Sequence, residues 1–305
     1  MTSRSDHSIK LGTRASKMAL IQAEKVRRIL ELAGASVRIV TVSTSGDVDL
    51  SVPIAGLGSP APFCETIEAA ILDGSIDIAV HSFKDLAVEM TQGLTVAAFL
   101  ERDDPRECLV ARGRKLSELP RGAIVGTSSA RRAAQIRSLR SDLRTRSIRG
   151  PVDDRIRQVE QLSYDGAVLA VAGLARLGMM DRIDEIFSLD VMLPAPGQAA
   201  LAVQCRADDT DRIALLKEMD HRPTRTAVEV EASLHRLVSE AARKSRDAEG
   251  ELSCCATVVA GVIELAASLT DESGGKASAV VVRGSDHASV VERAWRTMRG
   301  ALTED

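Results

Sequence analysis

From Ile9 to Leu177 short apolar runs alternate with stretches of helical period, and that alternation narrows the chain to the α/β class. Ile9 to Gly12, Val37 to Val42, Ile76 to His81 and Leu94 to Leu100 read as strands, and Ser16 to Ala33 and Phe63 to Asp73 as helices. Ser43 to Pro62, rich in Gly and Pro, reads as a flexible loop. A second round follows. Its strands are Leu109 to Ala111, Ala123 to Gly126, Thr145 to Ile148 and Gly166 to Ala172. Its helices are Ser129 to Leu139, Asp153 to Gln161 and one beginning at Leu174. Another strand stands near Leu201 to Cys205. The pattern then changes to a helix over Thr224 to Ala242, strands over Thr257 to Leu265 and Ala277 to Arg283, and a closing helix over Ser289 to Leu302. Two α/β domains with mostly parallel sheets and a small C-terminal α+β domain are predicted.

Charge is focused within this frame. The window from Arg121 to Arg157 holds ten Arg and no Lys against three Asp, a net charge of +7 in a chain of net charge -3. Such a run repels itself unless something negative answers it, and the guanidinium fork suits planar carboxylates. Nucleic acid is the other candidate anion. With aromatic content at 2%, one Trp and one Tyr, the rings that stack on bases are missing, and neither end offers a helix-turn-helix. No apolar run is long enough to cross a bilayer, and Met1 to Lys10 lacks the apolar core of a signal segment. The expectation is a cytoplasmic monomer with no nucleic-acid or membrane partner. The five cysteines include no Cys-x-x-Cys pair, so neither a disulfide framework nor a metal site is expected.

Candidate residues follow from position. Lys84 and Asp85 stand just beyond a buried strand, where ligands bind in open α/β sheets, although the same pair could merely cap the next turn. Gly126-Thr127-Ser128-Ser129 ends a strand and opens a helix, so its free N–H groups and hydroxyls can hold an anion, with Arg131 and Arg132 adding charge. Arg137, Arg140 and Arg144 read as solvated faces, and His81 as a packed ring. Cys64, Cys108 and Cys205 read as core. Cys254-Cys255 is expected on a loop, where an exposed thiol near Arg would be partly thiolate.

Several stretches resemble the hydroxymethylbilane synthase (porphobilinogen deaminase) family. They are Leu11-Gly12-Thr13-Arg14-Ala15-Ser16, His81-Ser82-Phe83-Lys84-Asp85, Glu101-Arg102-Asp103-Asp104-Pro105-Arg106, Gly126 to Arg132, Arg149-Gly150-Pro151-Val152-Asp153-Asp154-Arg155, and Leu193 to Gln198. The resemblance implies two periplasmic-binding-protein-like α/β domains flanking a cleft, plus the small third domain. Their expected bounds are 1–100 with 199–217, 101–198 and 218–305. It implies head-to-tail condensation of porphobilinogen, a carboxylated pyrrole, with release of ammonia, on a dipyrromethane cofactor joined to one Cys by a thioether. By the same resemblance Asp85 is catalytic, and Arg14, Ser16, Arg149, Arg155 and Arg176 line the substrate or growing chain. Lys84, Thr127, Ser129, Arg131 and Arg132 would hold the cofactor, with Cys255, or else Cys254, as its anchor.

The chain also departs from the pattern. The family's Gly-Gly-Cys loop is absent; Ala242 stands at the distance of its Cys, and a charged stretch from Glu240 to Glu251 is inserted. The loop ending at Phe63 has no Lys, Phe83 replaces Met, and Pro151 replaces Asn. The resemblance therefore allows a second reading, a non-polymerising paralogue that deaminates or only binds a single carboxylate-rich pyrrole.

Overall fold

The computed structural model describes residues 8–44, 63–244, 250–271 and 277–303, so the predicted loop over 43–62 lies almost wholly outside the described residues. The chain divides into two compact units, residues 1–101 with 200–221 and residues 102–199 with 222–305.

The first unit begins with β1 (Ile9–Arg14), α1 (Lys17–Leu32), β2 (Val37–Val42), α2 (Glu65–Leu72), β3 (Ile78–Ser82) and β4 (Leu94–Phe99). α1 starts where it does because the Ser16 hydroxyl accepts from the Ala19 N–H, and it turns Ala19, Ala23, Val26 and Leu30 inward. β1 pairs in parallel with β2 and β3. At Gly12 the strand is overlaid by Ile76; a Cβ there would stand 2.2 Å from the Ile76 Cδ1. The fifth strand, β10 (Leu201–Arg206), arrives from far along the chain and slots between β3 and β4, giving the order β2-β1-β3-β10-β4. It runs antiparallel to both neighbours, so this sheet is mixed where a mostly parallel one is predicted.

The second unit repeats the plan. It contains β5 (Glu107–Val110), β6 (Ile124–Gly126), α3 (Ala130–Leu139), β7 (Arg144–Arg146), α4 (Val152–Glu160), β8 (Gly166–Ala170), α5 (Val171–Leu177) and β9 (Glu185–Ile186). The order is β7-β6-β8-β5-β9, with β7, β6 and β8 parallel and β5 and β9 antiparallel additions. α6 (Thr210–Lys217), which the sequence reading does not anticipate, belongs to the first unit. The long α7 (Arg222–Lys244) then leads into the antiparallel meander β11 (Glu251–Val259), β12 (Val262–Thr270) and β13 (Ala277–Gly284), closed by α8 (His287–Thr303). Val230, Leu234 and Val238 of α7, Val290 and Met298 of α8, and Cys254, Ala256 and Leu265 share one core. No described helix is long and apolar enough to cross a membrane.

The structure corrects the reading of this last region. The single strand expected over 257–265 is two strands joined at Ala260-Gly261, whose φ angles of 50° and 78° make a tight hairpin turn. The sequence hides the turn because Ala is an unusual residue for positive φ. The C-terminal sheet and its two helices have a core of their own and lie in the same compact unit as the second α/β sheet.

A buried ion pair explains that joining. The Arg102 Nη1 and Nη2 donate to Glu231 Oε1 and Oε2 at 2.6 and 3.1 Å, while its Nε donates to the Gln198 carbonyl at 2.8 Å. The Gly197 N–H donates to the same carboxylate at 2.5 Å, and the Ala256 N–H of β11 at 2.6 Å. Glu231 is 0% exposed. Truncating one partner leaves the other charge buried and uncompensated. Glu231→Ala should therefore lower the stability of this unit by about 3–5 kcal/mol. Urea unfolding would check it, with Arg102→Ala/Glu231→Ala losing less than the sum of the single variants.

Candidate active site

In the first unit, β3 carries Ala79, Val80 and His81 into the core and then releases the chain into a single 3₁₀ turn, Phe83–Asp85. The turn is fixed on several sides. The Phe83 N–H donates to the Ala200 carbonyl at 3.0 Å, and the Phe83 ring meets Phe99 edge-on, centroids 5.1 Å apart. The Gln22 amide donates to the Ser82 hydroxyl at 2.9 Å. The Cys64 thiol, at the start of α2, donates to the Asp85 carbonyl at 3.1 Å. Asp85 is half-buried and Lys84 is exposed. Arg14, at the end of β1, lays its guanidinium over the Phe63 ring, 4.1 Å from the centroid. The charges of Asp85 and Arg14 both act on the Cys64 thiol, so the two candidates flank one spot. The Ser16 hydroxyl accepts from the Ala19 N–H as the cap of α1, which leaves its own O–H to donate.

In the second unit the strand-to-helix junction is built as expected. The Ser129 hydroxyl caps α3 by accepting from the Arg132 N–H at 3.3 Å, and the Thr127 hydroxyl accepts from the Ser129 N–H at 3.2 Å. The caps leave the arginine side chains to find other partners. Arg131 and Arg132 are buried, and both reach Glu107, a carboxylate 0% exposed at the start of β5. Arg132 binds it with two nitrogens, at 3.0 and 2.8 Å, and also donates to the Val168 carbonyl. Arg131 donates to Glu107 and to the Leu193 carbonyl, the latter at 2.6 Å. Burial nevertheless holds the Arg131 pKa below the ordinary guanidinium value, against the pull of Glu107.

Arg155 completes the group. It is half-buried on α4, and its Nε donates to the Gly150 carbonyl at 2.7 Å. Burial first, then the like charges of Arg132 and Arg149, pull its pKa down to about 10. The second unit thus gathers Arg131, Arg132, Arg149 and Arg155, and the charges bearing on Arg155 are positive. Arg176 is different. It forms a salt bridge to Asp103 at 2.7 Å and donates to the Ala199 carbonyl at 2.8 Å.

Two carboxylates escape a reading by pattern, Glu107 and Glu231. Each had a signal: an acid inside a run otherwise fit for the core, Glu107-Cys108-Leu109-Val110 and Val228-Glu229-Val230-Glu231. Charges in such settings require a partner. Among the described residues, no group of three or more His, Cys, Asp or Glu could hold a metal ion.

The cysteine pair is not on a loop. Cys254 and Cys255 lie in the middle of β11, paired with Ala267 and Ala266 of β12. The insertion before them ends at the strand instead of exposing them. They are 0% and 2% exposed. Burial, and then the nearby Glu231, push the Cys255 thiol up to about 12 and the Cys254 thiol well above its ordinary value. The expectation of a thiolate favoured by Arg is therefore reversed, because desolvation and a buried carboxylate outweigh Arg102. The residues present fit the carboxylate-binding half of a dipyrromethane, whose acid groups would answer Arg155 and its neighbours. They do not fit a thioether, since all five thiols are buried. A disulfide exchange reagent should leave all five unlabelled in the folded chain and label all five in denaturant; fast labelling of any one in the fold would contradict this burial.

Residues 9–214 match the family model described as porphobilinogen deaminase, dipyrromethane cofactor binding domain. The porphobilinogen deaminase of Pelotomaculum thermopropionicum is 41% identical over 284 residues, 90% of this chain and 91% of that protein. That of Mycobacterium bovis is 47% identical over 227 residues, 74% of this chain and 73% of that protein. Among solved structures, a periplasmic substrate-binding protein of an ABC transporter from Coxiella burnetii aligns with a TM-score of 0.44 at 17% identity, over 74% of this chain and 95% of that one. With the family model covering most of the chain and a relative matched along nearly all of it, the chain belongs to the porphobilinogen deaminase family.

Proposed function

We propose that Arg155, with Arg132 and Arg149, binds the carboxylates of the pyrrole substrate and cofactor, and that Asp85 is the catalytic carboxylate. The chain itself is a deaminating transferase of tetrapyrrole biosynthesis: it condenses porphobilinogen head to tail into linear hydroxymethylbilane, releases ammonia, and uses dipyrromethane as cofactor. When bound, that cofactor supplies the ring end on which condensation begins.

One observation carries the residue assignment. Arg155 is withdrawn from water and faced by two like charges, an arrangement that is unfavourable until an anion enters it. Each porphobilinogen ring carries an acetate and a propionate, so every unit added brings two carboxylates. Arg131 and Arg132 are held in place by Glu107 before any ligand arrives, so little side-chain freedom remains to be lost on binding.

The role of Asp85 follows from the charge the reaction creates. Ammonia leaving the aminomethyl carbon leaves positive charge spread over the pyrrole ring and its N–H. A carboxylate facing that N–H stabilises the charge as it develops. The turn at Phe83–Asp85 is pinned through its backbone by Ala200 and Cys64, which fixes the side chain without occupying it. Arg14 is the other ligand-facing candidate in this unit. Ser16 sets the start of α1 beside Arg14 by accepting from the Ala19 N–H and keeps its O–H for the ligand.

Two variants test the assignment. Asp85→Asn should keep the fold, by circular dichroism and melting temperature, and lose porphobilinogen turnover by at least a hundredfold, roughly the contribution of one preorganised electrostatic group; retained turnover would remove Asp85 from the chemistry. Arg155→Ala should weaken binding of a carboxylated pyrrole by roughly 2–5 kcal/mol if the ion pair forms in the buried site. Calorimetric titration with porphobilinogen reads this directly, and unchanged affinity would send Arg155 back to a structural role.

A further inference from the structure

We propose that this chain retains its dipyrromethane through the ring carboxylates alone, with no thioether to any of its five cysteines. The inference rests on the carboxylate-binding reading of Arg155 and its neighbours given above.

A thioether needs a sulfur that can reach a ring methylene carbon and shed its proton there. No cysteine of this chain meets that need. Cys64 is 2% exposed and its thiol is engaged by the Asp85 carbonyl. Cys108 is 0% exposed within β5, its thiol 3.3 Å from the Leu169 carbonyl. Cys205 is 0% exposed in the middle strand pair of the first sheet. Cys254 points into the core shared by α7, α8 and the C-terminal sheet. Cys255 lies on the other side of β11, facing Arg102, Asp104 and Glu231.

Nor can β11 swing out to present either thiol at small cost. The Cys254 N–H donates to the Pro194 carbonyl at 3.0 Å, the Ala256 N–H to Glu231 at 2.6 Å, and the strand pairs with β12 at every residue from Glu251 to Val259. Delivering a thiol would break those bonds and expose the buried Arg102–Glu231 pair. The inserted residues 245–249, Ser-Arg-Asp-Ala-Glu, bring no cysteine of their own.

The arginines offer a different hold. A dipyrromethane bears four carboxylates on two rings. Arg155, Arg149 and Arg132 stand within electrostatic reach of one another on α4, the turn before it and α3. Several charge-assisted contacts to one ligand act together, so the group can be held tightly without a covalent bond.

The test uses the full chain purified from cells supplied with porphobilinogen, weighed once under native spray conditions and once after acid denaturation. The expected result is chain plus dipyrromethane in the native spectrum and bare chain in the denatured one. Cys254→Ala/Cys255→Ala should behave the same, and Arg155→Ala should retain at most about a tenth of the group, as loss of one such charge contact implies. An adduct that survives denaturation overturns the proposal, and the wild-type spectra decide this even if the double variant fails to fold. A bare chain in both spectra also overturns it. Porphobilinogen consumption by the same preparation then separates the two levels: turnover by a bare chain leaves the enzymatic reading standing, and its absence removes both.

Discussion

The second unit depends on one buried carboxylate, Glu231. Four N–H groups from three places in the sequence meet on its two oxygens: the Arg102 guanidinium twice, Gly197 and Ala256. A charge taken out of water at such depth is tolerated only when its lone pairs are filled, and these partners fill them. The consequence is architectural. The start of the second α/β segment, its end near Gln198, and the middle of β11 cannot move independently. The strand that carries both C-terminal cysteines is held by the same interaction.

Glu107 organises the arginine cluster of the second unit as Glu231 organises its scaffold. By accepting from Arg131 and Arg132 together it fixes two guanidiniums close to each other, and the charge of Arg132 reaches Arg155. On the proposed reading, an anionic ligand answers the like charges around the half-buried Arg155. In water the same charges would be screened and would attract little.

The chain combines the family's sequence pattern over its α/β segments with a C-terminal sheet whose cysteines are buried. The turn bearing Asp85, the α3 junction and the arginines follow the family pattern, while the cysteines have become core residues. Cys254 packs with Val230, Leu234 and Leu265, as a small hydrophobe would. The two parts of the protein thus answer to different constraints, chemistry in one and packing in the other.

Much of this was legible in the residues. Periodicity placed β1, α1, β3, α3 and the arginine-bearing α4, because local period follows directly from which faces meet the core. The +7 window called for an anionic ligand, and the motif around Lys84 and Asp85 announced the turn beyond β3. Other features were not legible. The cap that Ser16 makes on α1 and the pairing of Arg176 with Asp103 were not foreseen. Cys254-Cys255 read as a loop because they follow the polar stretch from Ser245 to Glu251, whereas β11 begins at Glu251. The pairing of Glu107 with Arg131 and Arg132 spans 24 and 25 residues, and that of Glu231 with Arg102 spans 129. The sequence by itself determined the elements and the chemical type of the ligand, since both follow from the order and charge of neighbouring residues. Only the tertiary structure decided which arginines are neutralised and which thiols are sealed, because burial and ion pairing are properties of residues brought together from distant parts of the chain.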